Sequence, residues 1–223
     1  MTTTPVITAL GLVDERRLVG SSGLATTWAQ LGVPAPGDGR TFRAVFGRSD
    51  ETFRRLDRVS RVLVLAAEAA GLSRTIPAAA APATGLVFET SLGCLDADLR
   101  FAASMAAGLC DGPVFAYTLP STSLGEVALR HGLRGPTVCL ATLPDERGAA
   151  LREAELLLAT GDVELVVAGC VDVLATAHQG LAPACRALVA VLAAPHLGLP
   201  AVAPWPGTGG SAYDALATAF ARG

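Results

Sequence analysis

Residues 135–172, GPTVCLATLPDERGAALREAELLLATGDVELVVAGCVD, decide how the chain is read. Thr137 to Thr142 is a short apolar run of the kind that forms a buried strand, and Pro144 and Asp145 end it with a turn. From Glu146 to Ala159, the residues Ala150, Leu151, Ala154, Leu157 and Leu158 recur at helical spacing on one side. Gly161 and Asp162 turn the chain again, and Val163 to Ala168 is a second strand. Strand, helix and strand in this order predict an α/β fold with a mainly parallel or mixed central sheet and helices on its faces.

The flanking sequence extends the pattern. Pro5 to Val13 reads as a strand dense enough in apolar residues to be buried on both sides. Gly85 to Thr90 and Ala187 to Ala193 are further strand candidates. Thr52 to Ala70 is the longest helical pattern, with Phe53, Leu56, Val59, Val62, Leu63, Ala66 and Ala70 on one side. Asp96 to Ala107 is another helix, with Asp96 near the end where a negative charge is favourable. Leu119 and Pro120 end an extended piece, and Ser123 with Glu126 fits a capping box for a helix that stops at Gly132. Gly20 to Arg48 shows no sustained period and reads as loop with short pieces of structure, and the alanine-proline connector Ile76 to Ala83 reads as a surface loop. Ser211 to Ala221 reads as a closing helix after a glycine-rich loop.

Of the 223 residues, 51% are hydrophobic but only 5% aromatic, so alanine, leucine and valine must supply the packing and elements can approach closely. All 17 basic residues are arginine, which excludes a side-chain amine or Schiff base. No basic run argues for nucleic acid, no apolar run is long enough to span a bilayer, and Met1 to Pro5 does not open a signal peptide. Cys94, Cys110, Cys139, Cys170 and Cys185 are odd in number and widely spaced. They read as reduced small hydrophobes of a cytoplasmic protein.

The stretch from Gly135 to Asp172 resembles the active-site region of the β-ketoacyl synthase family. There, a Gly-Pro pair opens a strand, a Thr-Ala-Cys turn presents the nucleophile at a helix start, and a Gly-Asp turn leads to a strand ending in Ala-Gly-Gly. Gly135, Pro136, Thr142, Gly161, Asp162, Ala168, Gly169 and Asp172 match, with Cys170 replacing the second glycine. Thr8 to Val13, Ala66 to Leu72, Leu92 to Asp96, Thr118 to Pro120 and Gly125 to Gly135 resemble further family segments in the same order. The resemblance ends between Ala175 and Pro195. It implies a thiolase-like half fold, with residues 1–223 as one amino-terminal-type domain and 196–223 as a divergent tail.

The same resemblance places Pro144 at the nucleophile position. Proline offers neither a nucleophile nor an N–H donor, and Asp145 and Glu146 would repel a thiolate, though all three suit a first helical turn. No catalytic residue is therefore assigned. Cys139 falls mid-strand, sharing a face with Thr137 and Ala141. His131, His178 and His196 match no catalytic histidine of the family and are too scattered for a metal, so no cofactor or metal is expected.

What the resemblance implies is a non-catalytic partner or chain-length-type subunit in fatty-acid-like or polyketide-like biosynthesis, paired with a ketosynthase or with itself. The interface would be lined by Phe115, Tyr117, Thr118, Leu119, Pro120, Thr137, Cys139 and Ala141. Arg54, Arg55, Arg58 and Arg61 read first as a solvated helix face; the resemblance also offers them to an acyl carrier protein. Two other readings stay open. One is an acyl hydrolase or acyltransferase with a relocated nucleophile, drawn from Ser121, Ser123 or Cys94 with His131 as base. The other is a structural homodimer with a vestigial groove.

Overall fold

A computed structural model describes residues 4–33, 36–143, 146–209 and 211–221. Pro144 and Asp145, on which the nucleophile assignment turns, lie outside the described residues. The strands are β1 (Val6–Val13), β2 (Arg17–Gly20), β3 (Ala25–Thr27), β4 (Gly85–Thr90), β5 (Thr137–Ala141), β6 (Leu165–Leu174) and β7 (Ala184–Ala193). They form one sheet in the order β3-β2-β1-β7-β6-β4-β5. β4 lies parallel to both β5 and β6, while β7 runs antiparallel to β6 and β1, so the sheet is mixed.

The helices are α1 (Trp28–Leu31), α2 (Thr41–Phe46), α3 (Glu51–Arg55), α4 (Arg58–Ala70), α5 (Leu72–Thr75), α6 (Leu95–Ala106), α7 (Gly112–Phe115), α8 (Ser121–His131), α9 (Ala149–Thr160) and α10 (Ala212–Ala221). Alternation along the strands divides their side chains between two cores. Phe88, Val167 and Val189 meet α4 and α8 on one side; Val87, Ala168 and Leu192 meet α9 and α10 on the other. Ala212, Tyr213 and Leu216 of α10 are buried in this second core, so the tail covers sheet surface that α9 leaves open.

Small residues let the layers close up. A Cβ on Gly11 of β1 would collide with the backbone of Ala66 and Ala70 in α4, so the strand can lie this near the helix only with glycine there. Along that helix Ala66, Ala67 and Ala69 are fully buried. Arg130 of α8 pins the same layer: it pairs with Glu68 of α4 at 2.7 Å and with Asp50, and its guanidinium stacks on the Phe42 ring at 4.9 Å.

Several local expectations change. The helical pattern from Thr52 to Ala70 is two helices, because Leu56 and Asp57 turn extended and the Asp57 carboxylate accepts from the N–H groups of Val59 and Ser60, capping α4. Ser123 and Glu126 form no capping box. Ser123 donates to the Pro120 carbonyl one turn back, and Glu126 accepts from Tyr117. The reciprocal box is made instead by Thr27 and Gln30 at α1. Tyr117 to Pro120 is a series of turns rather than an extended piece. Glu146 precedes the helix, which begins at Ala149 behind Gly148. The hairpin of β1 and β2 was not legible; Asp14 makes it by accepting from the N–H groups of Arg16 and Arg17. Among the described residues no helix is long and apolar enough to cross a membrane.

Candidate functional site

In a sheet of this kind, side chains that act converge at the carboxyl ends of the parallel strands. Here those ends are Thr90, Ala141 and Leu174, and the segment leaving β5 runs into α9. Two buried carboxylates hold that segment. Glu89 of β4 is 1% exposed. Its Oε1 accepts from the Gly148 N–H at 2.9 Å and its Oε2 from the Ala150 N–H at 2.7 Å. These are two of the donors that a helix leaves unpaired at its amino end, where the dipole favours an anion. Gly148 has a φ of 105°, and a Cβ on it would meet the carbonyls of Thr208 and Gly209.

The second carboxylate is Asp172, at the end of β6 and 2% exposed. Its Oδ1 accepts from the N–H groups of Ser91 and Leu92 at 2.8 and 3.0 Å and from the Thr90 hydroxyl at 3.1 Å. Its Oδ2 takes the Ser91 hydroxyl at 3.0 Å and the guanidiniums of Arg147 and Arg186 at 2.9 Å each. The turn after β4, the bend before α9 and the start of β7 are thus tied to one side chain. Such a network offers bound charge and fixed dipoles but no free nucleophile.

Four of the five thiols are placed unfavourably for covalent chemistry, while Cys110 is exposed. Cys139 is half-buried within β5, and burial raises its pKa. Burial pushes Cys170 up to about 12, aided by the Asp172 charge, and Cys185 up to about 12, aided by Glu15. Cys94 stands at about 11 through burial and the adjacent Asp98, and donates to the Thr118 carbonyl at 3.1 Å. A nucleophilic thiol needs the opposite shift. Between Thr142 and Gly148 the sequence TLPDERG holds no cysteine.

The residues expected to line an interface fall in two places. Among the described residues β5 pairs only with β4, so it is an edge strand, with Thr137 and Ala141 exposed. Phe115, 60% exposed, lies against the Phe101 ring at 5.2 Å, and Leu119 is 64% exposed. Tyr117 donates to Glu126 at 3.2 Å; burial first, then the Glu126 charge, raises it to about 12. Thr118 donates to the Phe115 carbonyl, and Pro120 precedes α8.

The arginines separate. Arg54 pairs with Glu51 at 3.0 Å within α3, and Arg55 is exposed with no partner among the described residues. Arg58 pairs with buried Asp96 at 3.1 Å, and Asp96 also accepts from the Ala175 N–H. Arg61 donates to the carbonyls of Phe53, Gly37 and Arg54, and burial lowers its pKa. Arg58 and Arg61 wall a cleft of about 400 Å³ whose floor includes Leu174 and Cys185.

The alternative nucleophiles do not assemble. Ser121 and Ser123 begin α8 and His131 ends it, roughly 12–15 Å along the axis at 1.5 Å per residue. His131 Nδ1 instead meets the Ser73 hydroxyl at 3.1 Å, a pairing sequence reasoning did not find. His196 pairs with Glu164 at 3.1 Å, and the His178 N–H bonds to the Leu181 carbonyl. No group of side chains suited to a metal occurs among the described residues.

No family model and no curated protein matches the sequence. Solved structures match by shape. The ishigamide ketosynthase/chain length factor superposes with a TM-score of 0.62 and 16% identity, over 86% of this chain and 62% of that one. The fold is that of the β-ketoacyl synthases. A ketosynthase in complex with its chain length factor from Xenorhabdus doucetiae matches with a TM-score of 0.56 and 17% identity, over 86% of this chain and 79% of that one. A type II polyketide synthase acyl-carrier protein in complex with its hexaketide-bound ketosynthase gives 0.58 and 15%, over 89% and 66%. The chain spans less than two thirds of the ishigamide ketosynthase/chain length factor. The mixed sheet with helices on both faces, expected from the β-ketoacyl synthase resemblance, is therefore present.

Proposed function

We propose that the chain is a non-catalytic β-ketoacyl synthase-like subunit that pairs with a ketosynthase in polyketide-like or fatty-acid-like biosynthesis. The observation that carries this reading is at the start of α9. No thiol lies between Thr142 and Gly148, and the helix end that would favour a thiolate is taken by Glu89. In this reading residues 1–223 act as one amino-terminal-type domain, with 196–223 as its divergent tail, and the protein works in the cytoplasm.

The proposed pairing surface is the β5 edge with Phe115 to Pro120. An edge strand with the sequence TVCLA has no charge, proline or bulge to discourage pairing. Large exposed apolar side chains beside it favour a protein partner over solvent. The neighbours in shape include a ketosynthase solved with its chain length factor, which motivates the choice of partner. Contact with an acyl carrier protein would rest mainly on Arg55, since Arg54, Arg58 and Arg61 are held by internal partners.

The test is co-expression with a ketosynthase from the same genome, followed by mass measurement in solution. A 1:1 complex is expected. Recovery of this chain as a monomer beside an intact, folded synthase would overturn the reading.

A further inference from the structure

The cleft walled by Arg58 and Arg61 carries charges that the fold does not neutralise. Its volume of about 400 Å³ and its largely apolar lining suit a small-molecule site. The ionisable side chains that line it are Glu15, Asp38, Arg58 and Arg61. Asp38 is neutralised by Arg40 at 3.1 Å, and Arg58 by Asp96 at 3.1 Å. Glu15 and Arg61 form no ion pair among the described residues, either with each other or with a third group.

Arg61 keeps its positive charge at any pH the fold survives. Its hydrogen bonds go to the carbonyls of Phe53, Gly37 and Arg54, which carry dipoles but no charge. Asp57 and Asp38 act on it from further off, opposed by Arg100 and Arg58. The Asp57 carboxylate is engaged by the N–H groups of Val59 and Ser60. The guanidinium is half-buried, so water compensates it less than on an open surface. Gly39 leaves it uncovered: a Cβ there would stand 3.6 Å from its central carbon. Glu15 is fixed at the start of β7, where its Oε1 accepts from the Cys185 N–H at 3.1 Å. Val173, Leu174 and Pro183 supply apolar lining to the same cleft.

We propose that this cleft binds a small apolar amino acid as its zwitterion, with the carboxylate on Arg61, the ammonium on Glu15 and the side chain against Val173 and Leu174. One guanidinium and one carboxylate that do not reach each other match a ligand carrying one charge of each sign. A monocarboxylate would meet the Glu15 charge without compensation, and a simple amine would meet that of Arg61. Neither the β5 edge nor Phe115 to Pro120 lines the cleft. Failure to pair with a synthase would therefore leave this site standing, and failure of the site would leave the pairing standing.

The test is thermal unfolding of the whole chain in leucine, compared with isocaproate, isoamylamine and glycine. Isocaproate lacks the ammonium of leucine, isoamylamine lacks its carboxylate, and glycine lacks its apolar body. Leucine should raise the melting temperature saturably by a few degrees. Its midpoint should lie at least about tenfold below that of either singly charged analogue, the difference one charge-assisted hydrogen bond makes. Glycine should give no saturable rise. Glu15→Gln, which keeps an acceptor for the Cys185 N–H, should erase the advantage of leucine over isocaproate. Arg61→Met should erase its advantage over isoamylamine; should that variant fail to fold, Glu15→Gln at its exposed position decides alone. No saturable response to leucine, a midpoint shared with either analogue, or an advantage over isocaproate that survives Glu15→Gln would overturn the proposal.

Discussion

Arg147, just before α9, and Arg186, on β7, meet the same oxygen of Asp172 at 2.9 Å. Asp172 and Arg186 are direct cross-strand partners in the β6–β7 ladder, so one contact is set by strand register and the other by the bend after β5. Removing the carboxylate would leave Arg147, itself largely buried, without this counter-charge and the Ser91 N–H without an acceptor, while the Leu92 N–H would keep only the Thr90 hydroxyl. Asp172→Ala should cost about 3–5 kcal/mol. A denaturant midpoint shift corresponding to less than ~1 kcal/mol would show that solvent replaces these contacts.

Gly11 gives a second test on the opposite face of the sheet. An added methyl would strike backbone atoms of α4, which cannot rotate aside. Gly11→Ala should therefore destabilise the fold by at least about 3 kcal/mol, at the upper end for overpacking. The same change at half-buried Gly125, on α8 with open space around its Cβ position, should be neutral or stabilising.

The acid side of the stability profile should depend on His131. Burial lowers its pKa from 6.5, outweighing the Glu68 charge that raises it, while Arg130 lowers it further. The unfolded chain then binds the proton more readily than the folded one. The stabilisation is present above pH 6.5 and is lost as pH falls through the lowered folded value. His131→Gln should flatten this part of the curve, read as the difference in midpoint between pH 7 and pH 5. An unchanged slope would contradict the assignment.

Thiol reactivity should follow position. Cys110 is exposed, whereas Cys170 is buried and pushed up to about 12. With a maleimide at neutral pH, Cys110 should be modified first and Cys170 only on unfolding. Peptide mapping of a partial reaction distinguishes the two.

On the proposed partner surface, Phe115→Glu and Leu119→Glu should leave stability within ~0.5 kcal/mol, because both side chains already face solvent. Each should weaken pairing with the ketosynthase by more than about 1 kcal/mol if it sits in the core of the interface. Titration of labelled variant into partner gives the value.

The architecture was legible where local pattern and long-range packing agree. β5, α9 and β6 carry their periods and their glycine turns in the sequence; the structure places β5 and α9 within three residues of expectation, while β6 runs on to Leu174, six residues past its expected end at Ala168. Sequence spacing fails where one side chain decides. Asp57 splits a continuous helical pattern because its carboxylate caps α4 better than the helix could run through it. Glu89 sits in GLVFET looking like an ordinary polar strand residue; its partners lie 59 and 61 positions away, and nothing local announces them. Arg147 and Arg186 were likewise unmarked, although Asp172 itself was singled out. Arg58 and Arg61 looked like solvent-facing charge because their partners, Asp96 and three backbone carbonyls, come from other elements or the helix before.

The account's central claim is that this fold holds no acyl group covalently. Intact-protein mass spectrometry of Cys110→Ser, which removes the exposed thiol that would exchange with any thioester, after incubation with an excess of acyl thioester at neutral pH tests it most directly. An unshifted mass is the result the account predicts. An acyl adduct that maps to a single residue in the folded protein would contradict it.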